Sequence, residues 1–340
     1  MARSEQTIPT IDLAPFLHGG EAEKRDVARQ VDEACKTIGF FTIVGHGVPE
    51  DLIAATRAMA VDFFALPAEE KTKVERPPQK IARGYFGVGD RSIAYSLGKA
   101  APPDLQEAFA FGPEQTSTEA NGGSTNPMLA PNRWPERPAE FRSTMLAYRQ
   151  AMTSLSTNFM RAVATALNVD EGFFKDKFNH HPSVVRLIRY PAVTEPPKEG
   201  QLRSGAHTDY GTLTFIRGDD TPGGLQVKHR NGDWIDVHPD PHAFVCNIGD
   251  LMARWSNDRW VSTLHRVAVP PPEATPKDRI SLVFFQIPNH DAIISCMESC
   301  VAPSAAPLYP PIRCSDHYLS KLMKASHARL DAKAVDAVAN

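Results

Sequence analysis

The chain has 340 residues, 42% hydrophobic and 23% charged, with a net charge of −3. That balance suits a globular protein with a substantial core and argues against nucleic acid or an anionic membrane surface as a partner. The opening MARSEQTIPTIDL has no apolar run of signal-peptide type and no later stretch could span a bilayer, so a cytoplasmic protein is expected.

The first predicted helix covers 21–38, where Val27, Val31, Ala34 and Ile38 recur at helical spacing and Gly39 follows as a stop. GFFTIVGHGV then reads as a short buried strand ending in a turn. A second amphipathic helix is written in EDLIAATRAMAVDFFALP, with Leu52, Thr56, Met59 or Ala60, and Phe63 on one face and Pro67 beyond its end. From 76 to 138 the chain is rich in proline and glycine and is expected to form surface loops. A long helix follows, its Phe141, Met145, Tyr148, Met152, Leu155, Phe159, Val163 and Leu167 spaced as core residues are.

Near residue 184 the period shortens. VVRLIRY, LTFI, GLQVKH, DWIDV, AFVCNI, STLHRVAV and RISLVFFQI are strand-like runs separated by turns. Asn231-Gly232 between two of them signals a two-residue hairpin. The expected fold is mainly β with α: a jelly-roll (double-stranded β-helix) core behind a helical N-terminal region. YLSKLMKASHARLDAKAVDAVAN adds a C-terminal helix. The five cysteines, Cys35, Cys246, Cys296, Cys300 and Cys314, make an odd set and are expected as free thiols. Cys296 and Cys300 lack the second pair that a cysteine zinc site would need.

GAHTDYGTLTF places His207 and Asp209 two apart in a strand-like run, on one face and roughly 7 Å apart along it. WVSTLHRVAV adds His265. Two histidines and a carboxylate suit non-haem Fe(II), holding one face of an octahedron and leaving three positions for a bidentate 2-oxo acid and O2. In DRISLVFF, Arg279 and Ser281 also share a face. An inward arginine needs an anion, and a guanidinium fork beside a hydroxyl suits a carboxylate.

The ordered set H-x-D, distal His and R-x-S resembles the Fe(II)/2-oxoglutarate-dependent oxygenases, in the branch similar to isopenicillin N synthase and the plant flavonoid and hormone oxygenases. IPTIDLAPF, GFFTIVGHGVP, FFALPAEEK and RGYFGVG resemble that branch's N-terminal region. LIRYPA, NIGDLMARWSNDRWVSTLHRV and RISLVFF resemble its catalytic barrel. The resemblance implies that His207, Asp209 and His265 bind iron, and that Arg279 and Ser281 hold the far carboxylate of 2-oxoglutarate with Tyr190 nearby. Ile188 stands where that pattern usually has an asparagine, which leaves part of the cosubstrate's hydrogen bonding unassigned. Tyr85, Arg91, Phe109 and Phe111 lie where the branch lines its substrate pocket.

Three stretches are expected: an N-terminal region over 1–120, a helix plus catalytic jelly roll over 121–300, and a helical segment over 301–340. The implied activity is hydroxylation or desaturation of a small molecule, with Fe(II) as cofactor and 2-oxoglutarate and O2 consumed to succinate and CO2. No obligatory protein partner is evident. Two alternatives stay open: an oxidase similar to isopenicillin N synthase that dispenses with 2-oxoglutarate, and a non-catalytic jelly-roll binding module, whose histidines and aspartate are structural or hold zinc. His46 reads as structural, while His229, His238 and His242 read as solvated residues at the hairpin. Trp255 and Asn257 read as support beneath the metal strand.

Overall fold

The short strands of the N-terminal region join strands of the second half in one sheet. The computed structural model describes residues 7–77, 82–90, 92–98, 101–114, 127–193, 197–219, 221, 223–238, 240–271 and 277–323. In chain order its elements are β1 (Thr10–Asp12), α1 (Ala14–His18), α2 (Glu21–Thr37), β2 (Phe40–Val44), α3 (Glu50–Phe64), α4 (Ala68–Thr72), β3 (Gly84–Phe86), β4 (Glu107–Phe111) and α5 (Phe141–Ala166). The barrel strands follow as β5 (Val184–Tyr190), β6 (Ser204–His207), β7 (Leu213–Arg217), β8 (Leu225–Lys228), β9 (Trp234–Asp236) and β10 (Phe244–Ile248). Then come α6 (Asp250–Trp255), β11 (His265–Val267), β12 (Arg279–Gln286), β13 (Ile293–Ile294), β14 (Ile312–Arg313) and helical chain from 314 to 323, α7. The rest of the predicted C-terminal helix lies outside the described residues, as does Arg91. Among the described residues, no helix is long and apolar enough to cross a membrane.

Eight strands form the major sheet in the order β1-β2-β10-β7-β12-β5-β4-β3, and β6-β11-β8-β9 form the minor one. All these pairings are antiparallel except β1 with β2. The arrangement is the expected jelly roll. Register fixes which face each side chain occupies. Arg279 pairs with Tyr190, Ser281 with Ile188, Val283 with Arg186 and Phe285 with Val184, so these point to the same side. Carried across the sheet, that inner face includes Thr214, Asn247 and Phe40. Phe40 meets the minor sheet at His265, ring centroids 5.2 Å apart.

The outer face packs on the long helix. Phe159 of α5 stacks on Phe41 at 5.6 Å and meets Phe215 at 5.9 Å. Burying each such ring contributes about 1.5–3 kcal/mol. The predicted apolar stripe of α5 is buried as expected. Gly39 ends α2 with φ +67°, where a Cβ would lie 2.1 Å from the Val261 carbonyl oxygen, so only glycine fits.

Two expectations need correction. The stretch from 76 to 138 is not all surface loop: β3 and β4 lie in it, and every residue of both is buried. Glu107 supports that burial, its carboxylate meeting Lys71 at 2.9 Å, the Tyr85 hydroxyl at 2.6 Å, and Arg189. The Asn231-Gly232 hairpin forms, but with a longer turn. Lys228 pairs with Trp234, Gly232 N–H donates to His229 O and His229 N–H donates to Asp233 O. Gly232 takes φ +94° while Asn231 stays at negative φ, so the type that needs both central residues positive is ruled out.

Candidate metal centre

His207 ends β6 and His265 begins β11, paired directly across the antiparallel ladder. Asp209 follows on the loop beyond His207. The three are 8%, 4% and 6% exposed respectively. His207 Nε2 lies 3.8 Å from Asp209 Oδ1, and His265 Nε2 lies 3.9 Å from Asp209 Oδ2. One donor atom from each lies within 4.8 Å of the others.

Their partners aim these atoms. His207 Nδ1 is 2.8 Å from the Gly205 carbonyl and His265 Nδ1 is 3.0 Å from that of Thr263. A carbonyl only accepts, so each Nδ1 carries the proton and each Nε2 offers a lone pair. Asp209 Oδ2 accepts from Thr214 Oγ1 at 2.5 Å and Asn247 Nδ2 at 2.8 Å, leaving Oδ1 toward His207. Burial works against the Asp209 charge, but His265 and His207 in their protonated form, together with these two donors, outweigh it and hold the carboxyl below its usual range. Neutral imidazoles around an ionised carboxylate, buried and oriented from behind, form a donor set that suits a divalent transition metal. A second cluster, His180, His290 and Asp291, is exposed or half-exposed, with His180 Nε2 hydrogen-bonded to Asp291 Oδ1 at 3.2 Å.

Along the inner face from the triad, Arg279 and Ser281 are 4% and 2% exposed. Arg279 Nη1 donates to Gly223 O at 3.3 Å, its guanidinium carbon lies 5.3 Å from the Tyr190 ring centroid, and Asp219 stands 4.0 Å from Nε. Arg279 Nε and Ser281 Oγ are buried without a hydrogen-bond partner. Orphaned donors of this kind are what a carboxylate ligand would satisfy.

A cavity of about 160 Å³ opens beside His207 and Asp209. Its inner-face wall is Phe86, Arg186, Ile188 and Phe285, and Gln106, Tyr210 and Tyr318 also border it. The expected Tyr85, Phe109 and Phe111 do not line it. They face the opposite side, where Phe109 packs edge-on against Phe63 and Phe141 at 5.0 and 5.2 Å and Phe111 meets Trp134. Phe86, not Tyr85, borders the cavity; a shift of one residue along a strand exchanges the faces. Arg186 and Gln106 border the cavity and were not singled out from the sequence, although Arg186 shares the alternate face of Tyr190 within RLIRY and could have been found from that spacing.

The remaining assignments are structural. His46 Nδ1 accepts from Val48 N–H at 3.1 Å and its ring meets Phe244. His238 and His242 are exposed and His229 is half-buried. Trp255 is buried against Phe174, and Asn257 holds the chain at Leu308 and Cys300. All five cysteines are free thiols.

Comparison with known proteins agrees with this geometry. Residues 8–137 match the model described as the N-terminal region of non-haem dioxygenases in morphine synthesis, and 179–288 match the 2OG-Fe(II) oxygenase superfamily. A homoarginine-6-hydroxylase of Arabidopsis thaliana is 36% identical over 310 residues, covering 88% of this chain and 90% of that protein. Validamycin A dioxygenase of Streptomyces hygroscopicus subsp. limoneus is 33% identical over 82% of this chain and 76% of its own length. A full-length Neurospora crassa protein crystallised with α-ketoglutarate and thymine superposes with a TM-score of 0.82 at 31% identity, covering 95% of this chain and 98% of that one.

Proposed function

The chain belongs to the 2-oxoglutarate–Fe(II) oxygenase superfamily, and on that premise we propose which residues carry each task and what kind of substrate they accept. The protein is an Fe(II)- and 2-oxoglutarate-dependent oxygenase that hydroxylates or desaturates a small molecule. His207, Asp209 and His265 hold the iron, and the observation that carries this is the paired Nδ1–carbonyl bonds that turn both Nε2 atoms toward Asp209. Bound iron supplies the oxygen chemistry, coupling oxidative decarboxylation of 2-oxoglutarate to attack on a C–H bond. Arg279 and Ser281 hold the far carboxylate of 2-oxoglutarate, with Tyr190 as the wall behind it. The burial of all these groups keeps water away and strengthens their electrostatic grip.

The substrate lies in the cavity beside His207. Among the described residues lining it, the only carboxylate is Asp209. Arg186 and Arg76 hold their guanidinium carbons 4.9 and 5.1 Å from the Phe86 ring centroid. Ser92 Oγ, Gln106 Oε1 and Tyr210 OH are buried there without partners. These orphaned groups favour a compact polar molecule that offers carbonyl or carboxylate oxygens to the two hydroxyls and an N–H or O–H to Gln106. Small carboxylic acids fit that description, and so does thymine, the ligand in the Neurospora crassa structure.

The test is substrate-stimulated succinate release across a panel of small acids, pyrimidine bases and neutral or cationic controls. Stimulation confined to acids and carbonyl-rich heterocycles, and weakened in Gln106→Leu, is the expected result. Stimulation by purely cationic or apolar compounds would overturn the substrate assignment. Absence of 2-oxoglutarate turnover in every condition would overturn the residue assignments at the metal.

A further inference from the structure

Tyr190 has a second buried guanidinium beside it. Arg203 stands immediately before β6 and is 1% exposed. Its guanidinium carbon lies 5.7 Å from the Tyr190 ring centroid, against 5.3 Å for that of Arg279. Arg203 Nη2 donates to the Pro191 carbonyl at 3.2 Å, anchoring the side chain at the end of β5. Its Nε and Nη1 are buried with no hydrogen-bond partner. Arg279 Nε and Ser281 Oγ are in the same condition, and both guanidiniums flank the one tyrosine.

The nearby negative charge does not answer them. Asp219 lies 4.0 Å from Arg279 Nε but accepts from Ile280 N–H at 2.8 Å and also faces Arg57. Asp278 accepts from Arg189 Nε at 2.6 Å and from Ala192 N–H at 2.9 Å. Burial, and then the field of Arg279, lowers the Arg203 pKa, and the carboxylates of Asp219 and Asp278 offset this only in part because they are engaged elsewhere. A buried charge without a partner is strongly unfavourable, so such a pair is retained where a ligand completes it.

We propose that Arg203 is a second cosubstrate-binding cation, donating Nε and Nη1 to the far carboxylate of 2-oxoglutarate that Arg279 and Ser281 also hold. The proposal rests on the cosubstrate site described above. Its consequence is a site more selective for a dicarboxylate than one arginine would make it.

Isothermal titration of the full chain loaded with redox-silent Mn(II) tests this, using 2-oxoglutarate and, as a control without the far carboxylate, pyruvate. Arg203→Met is expected to weaken 2-oxoglutarate at least tenfold while leaving Mn(II) affinity and pyruvate binding unchanged, with Arg203→Lys intermediate. The Met variant without cosubstrate should also melt at a higher temperature than wild type, because an unpaired charge is gone, and gain less from added 2-oxoglutarate. Wild-type affinity for 2-oxoglutarate in Arg203→Met overturns the assignment, as does an equal loss for pyruvate, which would mark a merely structural role. Failure of the wild type to bind 2-oxoglutarate would instead bring down the cosubstrate site itself. Should Arg203→Met not fold, Arg203→Lys decides alone: wild-type affinity for both ligands overturns the proposal, and selective weakening of 2-oxoglutarate sustains it.

Discussion

His207 and His265 face each other across the β6–β11 ladder with ring centroids 4.3 Å apart, and each ties its Nδ1 to the carbonyl two residues earlier in the chain. The same local device is used twice, from opposite strands. It fixes tautomer and ring plane before any metal arrives, so little reorganisation is needed on binding. Asp209 is fixed by a different means, through side-chain donors from the major sheet. The site is therefore assembled from both sheets, and its precision depends on their register.

That dependence gives the first prediction. Asn247 on β10 donates to Asp209 Oδ2 at 2.8 Å, and Thr214 on β7 donates to the same oxygen. Removing either donor leaves the carboxylate free to rotate and less stabilised as an anion. Asn247→Ala and Thr214→Val should each weaken divalent metal binding by about 10–100-fold, the usual cost of losing such an outer partner. Mn(II) titration followed by electron paramagnetic resonance measures this directly. Unaltered affinity in both variants would show that the backbone alone positions Asp209.

Much of this was legible in the sequence because strand periodicity is local. His207 with Asp209, and Arg279 with Ser281, declare a shared face by spacing alone. The long helix was legible for the same reason, its apolar stripe running from Phe141 to Val163. What spacing cannot supply is which face turns inward on a strand with no chemical marker. Tyr85 and Phe86 are both aromatic, and only the pairing of Phe86 with Ala108 and of β4 with β5 settles the choice. Arg203 was hidden for a different reason: its significance lies in the lack of hydrogen-bond partners for two of its donors, a property of the folded environment.

Acid stability is the second prediction. His181 Nδ1 is 2.7 Å from Ser183 Oγ, which in turn accepts from Ile287 N–H at 2.9 Å. Burial first, then the charges of Arg149 and His180, push the His181 pKa down to about 4. In the unfolded chain its pKa is near 6.5, so between about 6.5 and 4 the unfolded state binds more protons. Stability contributed by neutral His181 is thus fully present above pH 6.5 and is lost as pH falls through this window. The loss amounts to roughly 3 kcal/mol at most. Denaturant unfolding of chelator-treated protein between pH 7 and 4 should show a shallower decline in His181→Gln than in wild type. Parallel declines would mean that other groups carry the acid sensitivity.

The third prediction concerns the close fit around Arg279. A Cβ added at Gly223 would lie 2.8 Å from the Arg279 guanidinium carbon and 2.9 Å from Nη2. No real Cβ tolerates such contact, so Gly223→Ala must push the fork out of place or shift the loop that carries it. Hydrogen bonds to a charged group contribute about 1.5–3 kcal/mol each, and 1.4 kcal/mol is tenfold in affinity. Displacing the fork should therefore weaken 2-oxoglutarate by about one to two orders of magnitude without touching the metal ligands. Arg279→Ala should lose at least as much, because the carboxylate then lacks this counter-charge. Arg279→Lys keeps a point charge but loses the planar pairing and should fall between wild type and Ala. Ser281→Ala, which removes one neutral donor, should be the mildest of the set. Pyruvate, lacking the far carboxylate, should bind the four variants about as weakly as it binds wild type. The measurement is the visible charge-transfer absorption of the anaerobic Fe(II) chelate, titrated with each 2-oxo acid. Wild-type affinity in Gly223→Ala together with a large loss in Arg279→Ala would mean that the loop yields freely. Wild-type affinity in Arg279→Ala itself would remove this residue from the cosubstrate site.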